Sequence, residues 1–155
     1  MEPLIIEADL AVEVHCEHIL FLTNAYSKDV MGGGKPLPEF VQKNLITGLK
    51  ETPNSLTFLA YDGDQPIGIA NCFIGYSTFY AQKLINIHDL GVIQEARGKG
   101  IGKKLIDAVY EKAKAMDGCK VTLEVLENNP ARRLYEREGF EYGDPRFFFM
   151  TRLVK

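Results

Sequence analysis

The period of the apolar positions changes several times along the chain, and each change predicts an element. Residues 4–8 form a short apolar run that predicts a strand, whereas residues 9–27 place Val12, Cys16, Ile19, Leu20 and Thr23 at near-helical spacing and predict a helix. Residues 31–38, MGGGKPLP, hold three glycines and two prolines, which break regular structure and predict a flexible connection before a second helix over 39–50. The runs SLTFLAY (55–61) and PIGIANCFIGY (66–76), joined by the turn residues 62–65, predict an antiparallel hairpin, and LINIHDLGV (84–92) a third long strand. Ile101, Leu105, Ala108, Val109, Ala113 and Met116 share one face of a helix predicted over 100–116, whose end Gly118 marks. A strand over 120–125 follows, then a short helix over 130–138 with Asn129 as N-cap, Pro130 at its first position and Gly139 just past its end. The β-rich residues 146–154 predict a terminal strand. This order predicts an α/β (α+β) fold: a central mixed sheet with helices on both faces.

The chain has 155 residues with 46% hydrophobic and 25% charged residues, the balance of a globular protein that forms a single domain over 1–155. Eighteen Lys and Arg against 21 Asp and Glu give a net charge of -3, so the chain lacks the global basic footprint of a nucleic-acid binder, and any anion site must be local. No apolar run approaches the ~20 residues of a membrane span, and the acidic, alternating N-terminus does not read as a signal peptide; no membrane partner and a cytoplasmic location are the expectations. Cys16, Cys72 and Cys119 lack a paired or zinc-type spacing and are expected as buried reduced thiols. His15 and His18 lie one helical turn apart with no evident third ligand, and no metal is expected.

Candidate chemistry concentrates in residues 94–102, QEARGKGIG, between a predicted strand and a predicted helix. Closely spaced glycines let backbone N–H groups approach an anion without interference from Cβ, and a helix N-terminus contributes about half a positive charge. Arg97, Lys99, Lys103 and Lys104 add side-chain charge. The competing reading is a tight structural turn. Two phosphate motifs fail here: a P-loop lacks its first glycine at Arg97 and its hydroxyl at Lys104, and a dinucleotide fingerprint beginning at Gly98 meets Lys103 where it needs glycine.

The run Arg97-Gly98-Lys99-Gly100-Ile101-Gly102 resembles the acyl-CoA signature of the GCN5-related N-acetyltransferases, and Asn128, Ala131, Leu134, Tyr135, Gly139 and Phe140 match a second motif of that family at its spacing. The resemblance implies a GNAT-like acyl-CoA N-acyltransferase fold whose strands 84–92 and 120–125 splay around acetyl-CoA as co-substrate. It implies that the backbone of Arg97, Gly98, Lys99, Gly100, Ile101, Gly102 and Lys103 binds the pyrophosphate, that Leu90, Gly91 and Val92 pair with the pantetheine arm, and that Asn128 contacts that arm.

Direct attack of a neutral amine on the thioester needs a proton acceptor for the amine and a donor for the thiolate. By resemblance Tyr135 is the donor, with packing alone as its competing role. His88, Asp89 and Glu124 are candidates for the acceptor. Strand alternation predicts that His88 and Asp89 point to opposite faces. The resemblance places acceptor choice in residues 9–54 and in the loop before the terminal strand. There Asp29 and Glu39 would attract a cationic amine unless they are merely solvated charge, and the aromatic residues of 76–83 would line the cleft or pack the hairpin. Small-molecule and peptide amines both remain open as substrates. Homodimers through terminal strands or a sheet edge are also implied, the competing role of 147–150, FFFM, being a buried core strand. The alternative function is a non-catalytic acyl-CoA-binding regulatory module.

Overall fold

The computed structural model describes residues 2–154. Five strands form one sheet in the order β1-β2-β3-β4-β5: β1 (Leu4–Glu7), β2 (Ser55–Asp62), β3 (Gln65–Ser77), β4 (Gln82–Val92) and β5 (Lys120–Leu123). The first four strands pair antiparallel, and β5 lies parallel to β4. Helices α1 (Glu13–Lys28) and α2 (Glu39–Lys50) precede the hairpin, α3 (Ile101–Ala115) connects β4 to β5, and α4 (Arg132–Arg137) follows β5. Gly63 takes a positive φ of 60° in the tight β2–β3 turn, a backbone state that a residue with Cβ disfavours.

Alternation along the strands builds two cores. Ile69 and Leu59 point with Ile19 and Leu22 of α1 and Leu49 of α2 into one. Ala70, Cys72, Ile85 and Ile87 point with Leu105, Ile106 and Val109 of α3 and Tyr135 of α4 into the other. Helix amphipathicity therefore decides which layer covers which face.

The predicted elements through α4 are present, with differences at their ends. Helix α1 starts at Glu13 because Asp9 closes a local turn instead, its Oδ1 accepting from the Ala11 N–H at 2.9 Å. The glycine-rich connection is not wholly irregular: Asp29 accepts from the Met31 N–H and caps a single 3-10 turn, Val30–Gly32. Asn129 accepts from the Ala131 N–H at 2.9 Å, and the helix proper begins only at Arg132.

The terminal strand predicted over 146–154 is absent: these residues are irregular and exposed, so 147–150 is not a buried core strand. β-rich composition makes a strand only where an edge accepts its hydrogen bonds, and none is engaged here. Cys16 and Cys72 are buried free thiols, Cys119 is half-buried, and burial followed by the nearby Asp89 charge pushes the Cys72 thiol up to about 12. His15 accepts from the Asp9 N–H and His18 bonds the Tyr61 hydroxyl at 2.8 Å, so both have structural partners.

Candidate active site

Strands β4 and β5 pair only over Leu84–Ile87 and Lys120–Leu123, although β4 runs on to Val92. Beyond that point they part. The opening coincides with an irregularity opposite β3, where Asn71 pairs with Asp89 but the adjacent Cys72 pairs with Ile87, leaving His88 as the extra residue of a bulge. A bulge shifts alternation by one, and this overturns the expectation that His88 and Asp89 point to opposite faces. His88 stands edge-on to Phe73 with ring centres 5.7 Å apart, while Asp89 accepts from Asn71 Nδ2 at 3.1 Å, and that same amide donates to Thr23 of α1 at 3.0 Å. Both side chains therefore lie on the α1 face.

Glu124, just past β5, joins them: Asn86, one alternation before His88, donates to its Oε1 at 3.2 Å. The three residues weighed as proton acceptors thus share one face at the parting of the strands. Asp89 is the most constrained, because buried Asn71 also accepts from buried Thr57 at 3.2 Å and is fixed by partners on three sides.

Two phenols stand on opposite faces of the sheet near β4. Tyr135 is buried in the α3-side core, edge-on to Phe140 at 5.9 Å. Burial first, and then the Tyr26 phenol, push its pKa up to about 12, so the hydroxyl holds its proton at neutral pH. Tyr26 of α1 lies over β4 so closely that a Cβ on Gly91 would fall 3.0 Å from its ring. Burial, then Asp89 and Asp29, raise the Tyr26 pKa. Tyr26 and Asn71 escaped the sequence reading; a glycine inside a strand pattern at Gly91 was the available signal of close approach.

The turn after β4 has the form of an anion cradle. Gly98 and Gly100 hold positive φ angles of 75° and 78° with open space where a Cβ would stand, and no side chain caps the N-terminus of α3. The leading N–H groups of the helix are thus left to a ligand. Gly102 has another reason: a Cβ there would meet Leu134 at 3.1 Å, so it lets α3 approach α4.

The surrounding cations are already engaged, contrary to the expectation of mobile charge at all four. Arg97 donates to the Val92 carbonyl at 3.0 Å and to Asp29 at 2.7 Å, Lys103 pairs with Asp107 and Glu138, and Lys104 pairs with Glu2. Among the described residues only Lys99 of the four has no ion pair. Arg97 and the Met31 N–H hold the Asp29 carboxyl below its usual range, and Glu39 pairs with Lys43. Neither acid is left as an unpaired attractor for an amine.

Leu90, Gly91 and Val92 lie on β4 beyond its last contact with β5, which leaves that edge open to an extended ligand. Asn128 is exposed in the loop before α4. The aromatic residues of 76–83 do not line the opening. Tyr76, Phe79 and Tyr80 stand exposed at the hairpin tip, at the other end of β4 from the bulge.

An open strand edge runs into an uncapped, glycine-rich helix N-terminus, a geometry with room and backbone donors for an extended anionic ligand. Residues 19–140 match the family model described as Acetyltransferase (GNAT) family, and the chain belongs to that family. It is 29% identical over 135 residues, 82% of this chain and 86% of the relative, to the "Uncharacterized N-acetyltransferase YycN" of Bacillus subtilis. It is 30% identical over 89 residues, 56% of this chain and 54% of the relative, to the D-amino-acid N-acetyltransferase HPA3 of Saccharomyces cerevisiae. The solved structure of a probable acetyltransferase shares the fold at a TM-score of 0.82 and 19% identity, covering 98% of this chain and 99% of that one. That of the aminoglycoside acetyltransferase meta-AAC0020, from an uncultured soil metagenomic sample, does so at 0.78 and 17% identity, covering 99% and 97%.

Proposed function

We propose that this chain, as one domain, transfers the acetyl group of acetyl-CoA to a primary amine of a small molecule or peptide. The observation that carries the reading is the uncapped N-terminus of α3 behind Gly98 and Gly100, continuous with the open edge of β4. Backbone N–H groups of residues 97–103 would hold the pyrophosphate, the main chain of Leu90, Gly91 and Val92 the pantetheine arm, and Asn128 a further contact on it. Bound there, acetyl-CoA supplies an activated acyl group with a thiolate as leaving group. The relatives' names, a D-amino-acid and an aminoglycoside acetyltransferase, both specify amine-bearing acceptors.

The acceptor amine approaches from the α1 face. Asp89, held by Asn71, and Glu124, held by Asn86, attract the ammonium form to the opening. His88 then takes its proton on an imidazole nitrogen. Tyr135, protonated because burial holds its pKa near 12, is the donor toward the departing thiolate. The family membership and the names of the relatives, N-acetyltransferases, favour catalysis over a non-catalytic acyl-CoA-binding role.

Thiol release from acetyl-CoA, followed across a panel of polyamines, amino acids, aminoglycosides and peptides, tests the reading. His88→Gln is expected to lower kcat about 10²-fold and to remove the acid limb of the kcat/KM profile. Asp89→Asn and Glu124→Gln should raise KM for the amine more than they lower kcat. An unchanged rate and pH profile in His88→Gln would remove His88 from the mechanism.

A further inference from the structure

We propose that Tyr26 sets the length of the acyl group this site accepts. Its ring closes the α1 side of the opening beside Gly91, leaving room for an acetyl group but not for a butyryl chain. The inference rests on the acyl-CoA reading above and assigns that site one further, specificity-determining residue.

The order of residues along β4 limits where an acyl chain can go. With the pyrophosphate at residues 97–103 and the arm along Val92, Gly91 and Leu90, the thioester would fall at the level of Asp89 and His88, where β5 no longer pairs with β4. Its carbonyl carbon is bonded to the sulfur that Tyr135 serves and attacked by the amine that His88 serves, so it lies between those two residues. The chain on that carbon needs a direction of its own. On the α3 face Tyr135 packs edge-on against Phe140, with Leu134 and Val125 around the same core. Toward the start of β4, pairing with β5 closes the sheet at Ile87 and Leu123. The α1 face is left, and Tyr26 stands there.

The ring is firmly seated. A Cβ on Gly91 would lie 3.0 Å from Cδ2, 3.1 Å from Cβ and 3.3 Å from Cγ of Tyr26, so the base of the phenol rests on the strand backbone and glycine makes its place. One turn earlier in α1, Thr23 accepts from Asn71 at 3.0 Å, which fixes how the helix sits over the sheet. One residue past α1, the Asp29 N–H donates to the Tyr26 carbonyl at 3.1 Å, and a Cβ at Gly32 would collide with that same carbonyl oxygen. Two glycines distant in sequence thus make room on either side of this one residue. Burial raises the Tyr26 pKa first; of the charges that raise it further, Asp89 comes before Asp29. The phenol therefore runs from Gly91 toward Asp89, about 7 Å along the strand, and covers the level at which the thioester would lie. A wall held from the strand and from the turn after α1 does not yield readily to a longer chain.

Calorimetric titration of free CoA, acetyl-CoA and butyryl-CoA into the wild type, Tyr26→Ala and Tyr26→Phe tests the proposal. The wild type is expected to bind butyryl-CoA about 10-fold or more weakly than acetyl-CoA, the least that a single unaccommodated methylene ordinarily costs. Tyr26→Ala should bind the two esters equally well, with its affinity for free CoA unchanged, whereas Tyr26→Phe keeps the ring and should keep the preference. A wild type that binds both esters equally, or a folded Tyr26→Ala that retains the wild-type ratio, overturns the proposal. Loss of the ratio in Tyr26→Phe also overturns it, because the hydroxyl and not the ring would then be the determinant. Should Tyr26→Ala fail to fold, Tyr26→Leu takes its place with the same expected and contrary results. Binding of free CoA without discrimination between esters refutes this inference alone. A wild type that binds neither CoA nor its esters refutes the acyl-CoA reading and this inference with it.

Discussion

Replacing Asn71 by alanine tests how the bulge of β4 is held. The amide is buried and makes three side-chain hydrogen bonds, from Thr57 at 3.2 Å, to Thr23 at 3.0 Å and to the Asp89 carboxylate at 3.1 Å. Two neutral bonds at about 1 kcal/mol each and one to a charge at about 2 kcal/mol place the loss near 3–4 kcal/mol, with the Thr57 hydroxyl left unpaired. For a chain of this size that corresponds to a fall in Tm of roughly 6–15 °C. Urea unfolding followed by circular dichroism reads the loss directly. The companion Asn71→Asp keeps the shape but puts a second carboxylate against Asp89, so each raises the other's pKa. A carboxyl whose folded pKa is raised destabilises the protein above that pKa and ceases to do so as pH falls through it. The Tm deficit of Asn71→Asp should therefore shrink as the solution is acidified. A loss in Asn71→Ala below about 1 kcal/mol would refute the idea that this network fixes Asp89 at the opening.

Tyr135→Phe keeps the ring against Phe140 and removes only the proton donor, so it should lower kcat about 10²-fold in steady-state thiol release with KM for acetyl-CoA and Tm little changed. Gly102→Val drives a side chain into Leu134, at 3.1 Å from even a Cβ, and should cost about 1–3 kcal/mol in urea unfolding by separating α3 from α4. Asp29→Asn weakens the link between the glycine-rich connection and Arg97. Because the folded pKa of Asp29 is depressed, its stabilisation is complete above the ordinary carboxylate range and lost as pH falls through the folded value; the Tm gap to wild type, clear at pH 7, should close toward about pH 3.

Much of this was legible because it is local. The glycines and cations of residues 97–104 stand next to one another in sequence, and the spacing from Asn128 to Phe140 spans one short helix and its caps, so no long-range contact is needed to read them. The shared face of His88 and Asp89 was not legible. It follows from a one-residue bulge set by pairing with Asn71, and the local sequence at 88–89 shows only alternation. Tyr26 over Gly91 and Asn86 beside Glu124 are likewise products of packing between distant segments. The charges of Arg97 and Asp29 read separately as an anion binder and an amine attractor, whereas in the fold each engages the other. Residues 146–154 have the composition of a strand, but a strand also needs an edge to pair with, and composition alone does not show whether one is engaged.

Calorimetric titration of acetyl-CoA into the wild type and into Gly100→Glu tests the central claim most directly. Gly100 has open space around its missing Cβ, so the added carboxylate fills the cradle without entering the core, at a backbone cost of roughly 1–2 kcal/mol from its positive φ. The account predicts saturable one-site binding to the wild type and its loss in a variant that remains folded. A folded wild type that binds no acetyl-CoA, or a Gly100→Glu variant that binds it equally well, would contradict the account.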